Sequence, residues 1–190
     1  MRSFFIAIIT MVLMTGSAAF AKNLEQGTLS VGGNGTLGFQ RISYENENDN
    51  DKELNLDLTI GYFFVDNIQL TLSLLYSNEE YSGIESSMVG FGGGIKFHIP
   101  VNNDINYYIT GMYGVLSGET ERGSGDDLEM DLDMLSFGIG MQYFLAENIA
   151  VDIGFDYNMI DTNYSMSGYS KSPTYESDRM GVSVGFDLYF

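Results

Sequence analysis

A lysine set among aspartates on one side of alternating stretches can form a charge-compensated network or line an ion path. In this 190-residue chain the residues in question are Lys96, Asp57, Asp152, Asp156 and Asp187. The one histidine, His98, is the single candidate for a general base near neutral pH. There is no cysteine, which removes thiol chemistry and disulfides. Asn46-Glu47-Asn48-Asp49-Asn50-Asp51, and Asp126-Asp127 with Glu129, offer hard oxygen ligands for Ca²⁺ or Mg²⁺. Neither run has the spaced glycine and terminal glutamate of an EF-hand loop, so both read as solvated acidic loops and no metal site is expected. Gly32-Gly33-Asn34-Gly35 and Gly92-Gly93-Gly94 lack the strand–loop–helix setting and the lysine of a phosphate-binding loop. No catalytic residue and no cofactor is assigned.

The elements that position these residues are strands. Period-2 alternation marks eight segments: Thr28–Ser43, Glu53–Val65, Ile68–Ser77, Ser87–Ile99, Ile105–Ser117, Leu128–Leu145, Ile149–Asp161 and Met180–Phe190. The third sets Ile68, Leu70, Leu72, Leu74 and Tyr76 against Gln69, Thr71 and Ser73. The last sets Met180, Val182, Val184, Phe186, Leu188 and Phe190 against Gly181, Ser183, Gly185, Asp187 and Tyr189. In the sixth, Met130 and Leu132 fall out of phase with Leu135, Phe137, Ile139, Met141 and Tyr143, which predicts a β-bulge at Met134-Leu135.

Connections alternate in length. Asp66-Asn67, Pro100–Asp104 and Ala146–Asn148 are short; Tyr44–Lys52, Asn78–Ser86, Gly118–Asp127 and Thr162–Ser177 are long and acidic or Ser/Gly-rich. An even strand count with alternating short turns and long loops is the rhythm of a transmembrane β-barrel. A soluble eight-stranded barrel would bury the apolar face instead. Here the other face is small and nearly neutral, and Tyr62, Phe64, Tyr76, Phe97, Tyr107, Tyr143 and Phe190 lie near strand ends of the apolar face, as interfacial girdles do. The apolar face is therefore predicted to meet lipid and the Gly/Ser/Thr/Asn/Asp face to fill the lumen. The inward glycines (Gly90, Gly92, Gly94, Gly138, Gly140, Gly154, Gly181, Gly185) leave space or permit strand curvature.

Arg2, the apolar run Phe4–Met14 and the small-residue site Ala19-Phe20-Ala21 predict a cleaved export signal over residues 1–21, with the barrel over 22–190. The whole chain carries 8 basic and 26 acidic residues, net −18; losing Arg2 with the signal leaves 7 against 26, or −19. Such a balance excludes nucleic acid as a partner.

With its export signal, strand rhythm, loop alternation and terminal Phe190, the chain resembles the small eight-stranded outer-membrane barrels of the OmpA/OmpX type. The resemblance implies an all-β, antiparallel up-and-down transmembrane barrel in the outer membrane of a Gram-negative envelope, with both termini periplasmic. It implies contact with outer-membrane lipid and lipopolysaccharide, and delivery to the insertion machinery by the last strand through Phe186, Leu188 and Phe190. A monomer is expected. Since no segment follows the last strand, the peptidoglycan-binding domain of some relatives is not carried over. Some barrels of this size modify lipid A with a histidine, a serine and an acid, but His98 falls by a short turn, away from the outer leaflet. The function expected is structural or surface-interactive and non-enzymatic, with acidic external loops. A narrow porin-like channel is the alternative, and an outer-leaflet lipid enzyme is disfavoured.

Counted from the short-turn side, Lys96, Asp152 and Asp187 each lie three residues into the lumen face, so Lys96 is expected to pair with the two aspartates. Asp57 and Asp156 should form a second polar layer farther up.

Overall fold

A computed structural model describes residues 24–39, 52–81, 84–121, 128–165 and 174–190. Its elements are β1 (Leu29–Phe39), β2 (Lys52–Val65), β3 (Ile68–Tyr81), β4 (Ile84–Pro100), β5 (Ile105–Glu121), β6 (Leu128–Ala146), β7 (Ile149–Ser165) and β8 (Thr174–Tyr189). Each strand pairs antiparallel with its sequence neighbour, and β8 pairs back onto β1 to close a barrel. Closure is completed by the last residue: Leu29 N–H donates to the Phe190 carbonyl at 3.1 Å and Phe190 N–H to the Leu29 carbonyl at 2.9 Å. Among the described residues no helix is long and apolar enough to cross a membrane. Any crossing is made by strands, whose closed ladder satisfies every backbone group in hydrocarbon.

The register fixes the geometry. Following hydrogen-bonded partners from Leu29 leads through Tyr62, Leu70, Ile95, Gly111, Phe137, Tyr157 and Met180 to Phe39. The circuit thus returns to β1 ten residues beyond its start. Eight strands about 4.8 Å apart with that stagger are tilted by about 40°. A row perpendicular to the strands therefore climbs by roughly 1.25 residues per strand.

Outward positions form an apolar belt, with Leu72 61% and Phe91 63% exposed. On β6 the belt runs from Tyr143 to Asp133, ten residues or roughly 25 Å along the axis at that tilt, the height of a barrel's lipid-facing band. Tyr62, Phe97, Tyr107 and Tyr143 ring its short-turn edge, and Tyr76, Tyr113 and Tyr157 ring the other.

Three expectations are corrected. The strands run past the predicted bounds at the long-loop end: β3 reaches Tyr81, β4 starts at Ile84, and β7 reaches Ser165. Parts of the loops predicted at Asn78–Ser86, Gly118–Asp127 and Thr162–Ser177 are therefore strand that rises from the belt. No bulge occurs at Met134-Leu135, since β6 keeps one register with β5 from Leu128 to Tyr143. Irregularities lie instead at Phe63/Val65 and Phe144/Ala146, beside short turns. The first of these leaves Phe64 half-buried, with Val65 outward and Phe63 inward. The predicted signal (residues 1–21), including Ala19 and Ala21, and the carboxylate runs 46–51 and 126–127 lie outside the described residues.

The short turns are built by side chains. Asn67 takes φ 62°, a left-handed conformation asparagine tolerates. Its Oδ1 accepts Leu24 N–H at 3.0 Å and its own N–H donates to the Leu24 carbonyl at 2.8 Å. The segment before β1 is thereby tied across the barrel mouth.

Candidate functional site

The lumen is layered along the axis, and its chemistry changes with height. At the short-turn end the layer is apolar: Leu24, Phe63, Phe144, Ala150 and Tyr189 form one buried cluster, with Phe63 and Ala150 0% exposed. Tyr189 stacks at a tilt on both rings, 6.2 Å from Phe63 and 5.6 Å from Phe144. This floor was not legible as such, because Phe63 and Phe144 follow or precede outward aromatics at the two register irregularities.

A polar layer rests on the floor. Asp187 Oδ2 accepts from Gln142 Nε2 at 2.5 Å, from Lys96 Nζ at 3.5 Å and from the Tyr189 hydroxyl at 3.5 Å. Tyr189 also donates to Gln142 Oε1 at 3.1 Å, so the floor is hydrogen-bonded to the layer above it. His98 Nε2 meets Gln69 Oε1 at 3.2 Å, and Gln69 Nε2 donates to Ser30 Oγ at 2.6 Å. The His98 ring lies 5.2 Å from that of Phe63 and is buried at the short-turn end, held as a structural element.

The row through Lys96 climbs via Thr110 and Gly138 to Asp156, and Asp152 lies four residues below Asp156 on β7. The climb over three strand steps nearly equals those four residues, so Lys96 and Asp152 sit at one height, with Asp187 about one residue lower. Of the two aspartates expected to pair with Lys96, Asp187 makes the ion pair. Asp152 accepts instead from the Tyr108 hydroxyl at 3.3 Å, while Lys96 Nζ stands 4.7 Å from the Tyr108 ring centroid. Tyr108 is thus the side chain that links the lysine to the second carboxylate. Nothing in its sequence context marks it as a site residue, although its parity with Asn106 and Thr110 places it inward.

Tyr108 fits because glycines face it. A Cβ on Gly140 would collide with its ring, and one on Gly154 would stand 2.5 Å from its hydroxyl. In the same way Gly32 makes room for Asp187 and Gly185 for Asn34, while at Gly90 and Gly118 a Cβ would first meet the Val115 and Ser87 carbonyl oxygens and then Leu116 and Met88. The space left by the inward glycines is filled by particular neighbours.

Asp57 and Asp156 form the next polar level. The row from Asp57 descends through Asn34 and Gly185 to Asp152, and Asp156 is four residues up from there, which returns it to the height of Asp57. Asp57 Oδ1 accepts Asn34 N–H at 3.1 Å, and Asp156 is hydrogen-bonded to Ser183.

Above that level the polar filling expected from the sequence gives way in part to apolar side chains, although Asn55, Ser77, Asn158, Thr162 and Arg179 remain on the inward face. Leu75, Met88, Leu116, Met130, Leu132 and Ile160 form a buried cluster against which Met112 and Met134 pack. The out-of-phase Met130 and Leu132 are simply inward residues of the same parity as Ser136, Gly138 and Gln142. Unbroken alternation along β6 was the signal available. A cavity of about 140 Å³ joins the two zones, with Lys96, Asp57, Asp156, Asp187 and Tyr108 below and the apolar cluster above. Among the described residues, no three His, Asp or Glu side chains gather closely enough to hold a metal ion. Phe186 is outward and exposed, Leu188 half-buried, and Phe190 exposed at the short-turn rim.

The chain matches the family of outer membrane protein beta-barrel domains over residues 7–190. No curated protein matches it. Among solved structures it is similar to Neisserial surface protein A at 12% identity and a TM-score of 0.62, covering 86% of this chain and 96% of that one. The N-terminal barrel domain of Pseudomonas aeruginosa OprF is similar at 15% identity and TM-score 0.56, covering 87% and 98%. The Yersinia pestis attachment protein Ail, in complex with the heparin analogue sucrose octasulfate, is similar at 15% identity and TM-score 0.51, covering 87% and 99%. At such identities the likeness is one of fold.

Proposed function

Because this chain belongs to the family of outer membrane protein beta-barrel domains, we propose that it is a non-enzymatic outer-membrane scaffold that presents acidic hairpins at the cell surface. Residues 1–21 are the export signal, both mature termini and the short turns face the periplasm, and the strand ending in Phe186, Leu188 and Phe190 delivers the chain to the insertion machinery. The barrel works as a monomer in lipid and lipopolysaccharide. The observation that carries this reading is the floor of Phe63, Phe144, Ala150 and Tyr189, hydrogen-bonded to the polar layer above it, which opposes a through-path for solutes. Lys96, Asp57, Asp152, Asp156 and Asp187 then hold the barrel together from within. With 26 acidic against 8 basic residues, the exposed hairpins repel a polyanion such as the one Ail binds. Their partners are cationic surfaces, or lipopolysaccharide phosphates bridged by divalent ions.

Single-channel recording of the refolded protein in a planar bilayer tests the reading. A silent bilayer is expected; reproducible conductance steps would overturn the scaffold in favour of the narrow channel. Altered lipid A on overexpression, abolished by His98→Ala, would instead reveal an enzyme.

A further inference from the structure

The cavity between the two lumen zones has a lining that suits neither water alone nor an apolar filling. Its upper part is walled by Leu75, Met112, Leu116, Leu132, Met134 and Ile160, and its lower part by Asp57, Asp156 and the Lys96–Asp187 pair. At about 140 Å³ it is close to the ~150 Å³ of an engineered apolar cavity that takes benzene. A wholly apolar guest would strand two carboxylates in a dry site, which is costly. An anion would meet Asp57, Asp156 and Asp187 together. Two cations line the cavity: Lys96, whose field reaches both Asp57 and Asp156 and which is already paired to Asp187, and Arg179, opposite Asn158 above them, so the three carboxylates still outnumber the cations. Asp152, buried just beneath, adds a fourth carboxylate. The methionines supply a flexible, polarisable wall that adapts to varied shapes.

We propose that this cavity is a binding site for a small amphipathic cation, with an ammonium head between Asp57 and Asp156 and a short apolar body against the methionine–leucine wall. The guest has about the bulk of a benzene ring with one small substituent. It enters from the hairpin end, since the apolar floor closes the other. The inference rests on that closure but not on any surface partner of the hairpins.

The test uses the refolded barrel in lipid nanodiscs, labelled with ¹³C at the methionine methyls and titrated with benzylammonium. Met112 and Met134 report the lumen; Met159 and Met180, exposed on the outer wall, report partition into lipid. Saturable shifts at Met112 and Met134 are expected. They should need at least tenfold more benzyl alcohol and be absent with benzoate, and Asp156→Asn should weaken benzylammonium about tenfold. If Asp156→Asn does not fold, Asp57→Asn replaces it, and the ligand series on the unaltered protein stands alone. Shifts confined to Met159 and Met180, equal effects of amine and alcohol, or full binding after loss of the carboxylate would each overturn the proposal. A silent planar bilayer together with unmoved lumen methyls would defeat this inference and leave the scaffold standing.

Discussion

Replacing Lys96 with methionine removes the charge while keeping an unbranched chain of similar length, so it isolates the lumen electrostatics. Removing one partner of a buried ion pair typically costs about 3–5 kcal/mol, because the other charge stays behind unpaired. Here Asp187 Oδ2 keeps Gln142 Nε2 at 2.5 Å and shares the single Tyr189 hydroxyl proton with Gln142 Oε1. That pulls the expected cost toward the low end. Loss of the contact with the Tyr108 ring, at 4.7 Å, adds about 1 kcal/mol in the opposite direction. The two corrections leave a destabilisation of about 3–4 kcal/mol for Lys96→Met. With a urea slope near 2 kcal/mol per molar, the unfolding midpoint should fall by roughly 1.5–2 M.

The assay is urea unfolding in lipid vesicles, followed by heat-modifiable mobility on a gel, for the parent, Lys96→Met, Asp187→Asn and the double variant. Asp187→Asn leaves Lys96 beside Asp152 and the face of Tyr108, so it should be milder than Lys96→Met. The double variant should recover about 2 kcal/mol relative to the sum of the singles, since neither charge is then left alone. A Lys96→Met protein within 0.5 kcal/mol of the parent, or strict additivity in the cycle, would refute the idea that this pair is an energetic centre of the barrel.

Gly140→Ala should cost about 1–3 kcal/mol by overpacking, because its Cβ would meet the Tyr108 ring and stand 2.6 Å from the Ile153 carbonyl oxygen. Tyr108→Leu in the same chain should return part of that loss; no return would mean that the ring is not the obstacle. Phe155→Arg, in the middle of the belt, should cost about 2–4 kcal/mol in vesicle unfolding, against at most about 1 kcal/mol for Asp133→Arg at its upper edge. Equal costs would misplace the membrane. Nitroxides at Leu72 and Ile153 should collide freely with oxygen dissolved in lipid, while one at Leu132 should not. A Leu132 label as accessible as Leu72 would restore the phase slip in β6.

Strand number, order and the apolar face were legible because period-2 alternation is a direct imprint of a wall with lipid on one side. Heights of the lumen charges were also accessible, since counting from a short turn measures depth along a strand. What stayed hidden was the change of lumen chemistry with depth. Met130 and Leu132 look like lipid-facing residues to any reading that equates apolar with outward, and a bulge is then needed to reconcile them with Phe137. Parity alone, with no bulge, puts them inside. Tyr108 and Gln142 were inconspicuous, and Gln69, though placed on the inward face, had no assigned partner, because parity gives a side chain its face but not the group it meets across the lumen. The strand extensions Tyr81 and Ser165 escaped because acidic, serine-rich sequence above the belt reads as loop, although a hairpin in water needs no apolar face to keep its ladder.

The pairing of large inward side chains with glycines follows from the closure geometry. Eight strands leave a lumen just wide enough for side chains, so several of the bulky groups pointing in lie over positions without a Cβ. Tyr108 over Gly140 and Gly154, on β5 against β6 and β7, and Met88 at Gly118, on β4 against β5, show that fit. Each glycine thereby selects where one bulky group rests, and the sum of those choices sets the axial order of floor, charge layer, cavity and apolar roof. The same residues that pack the barrel therefore decide that the cavity above the charge layer is amphipathic and closed toward the short turns. A channel would require that order to be broken at the floor, where Phe63, Phe144 and Tyr189 interlock. A pocket requires only that the methionines above the carboxylates yield, and methionine is the side chain best able to do so.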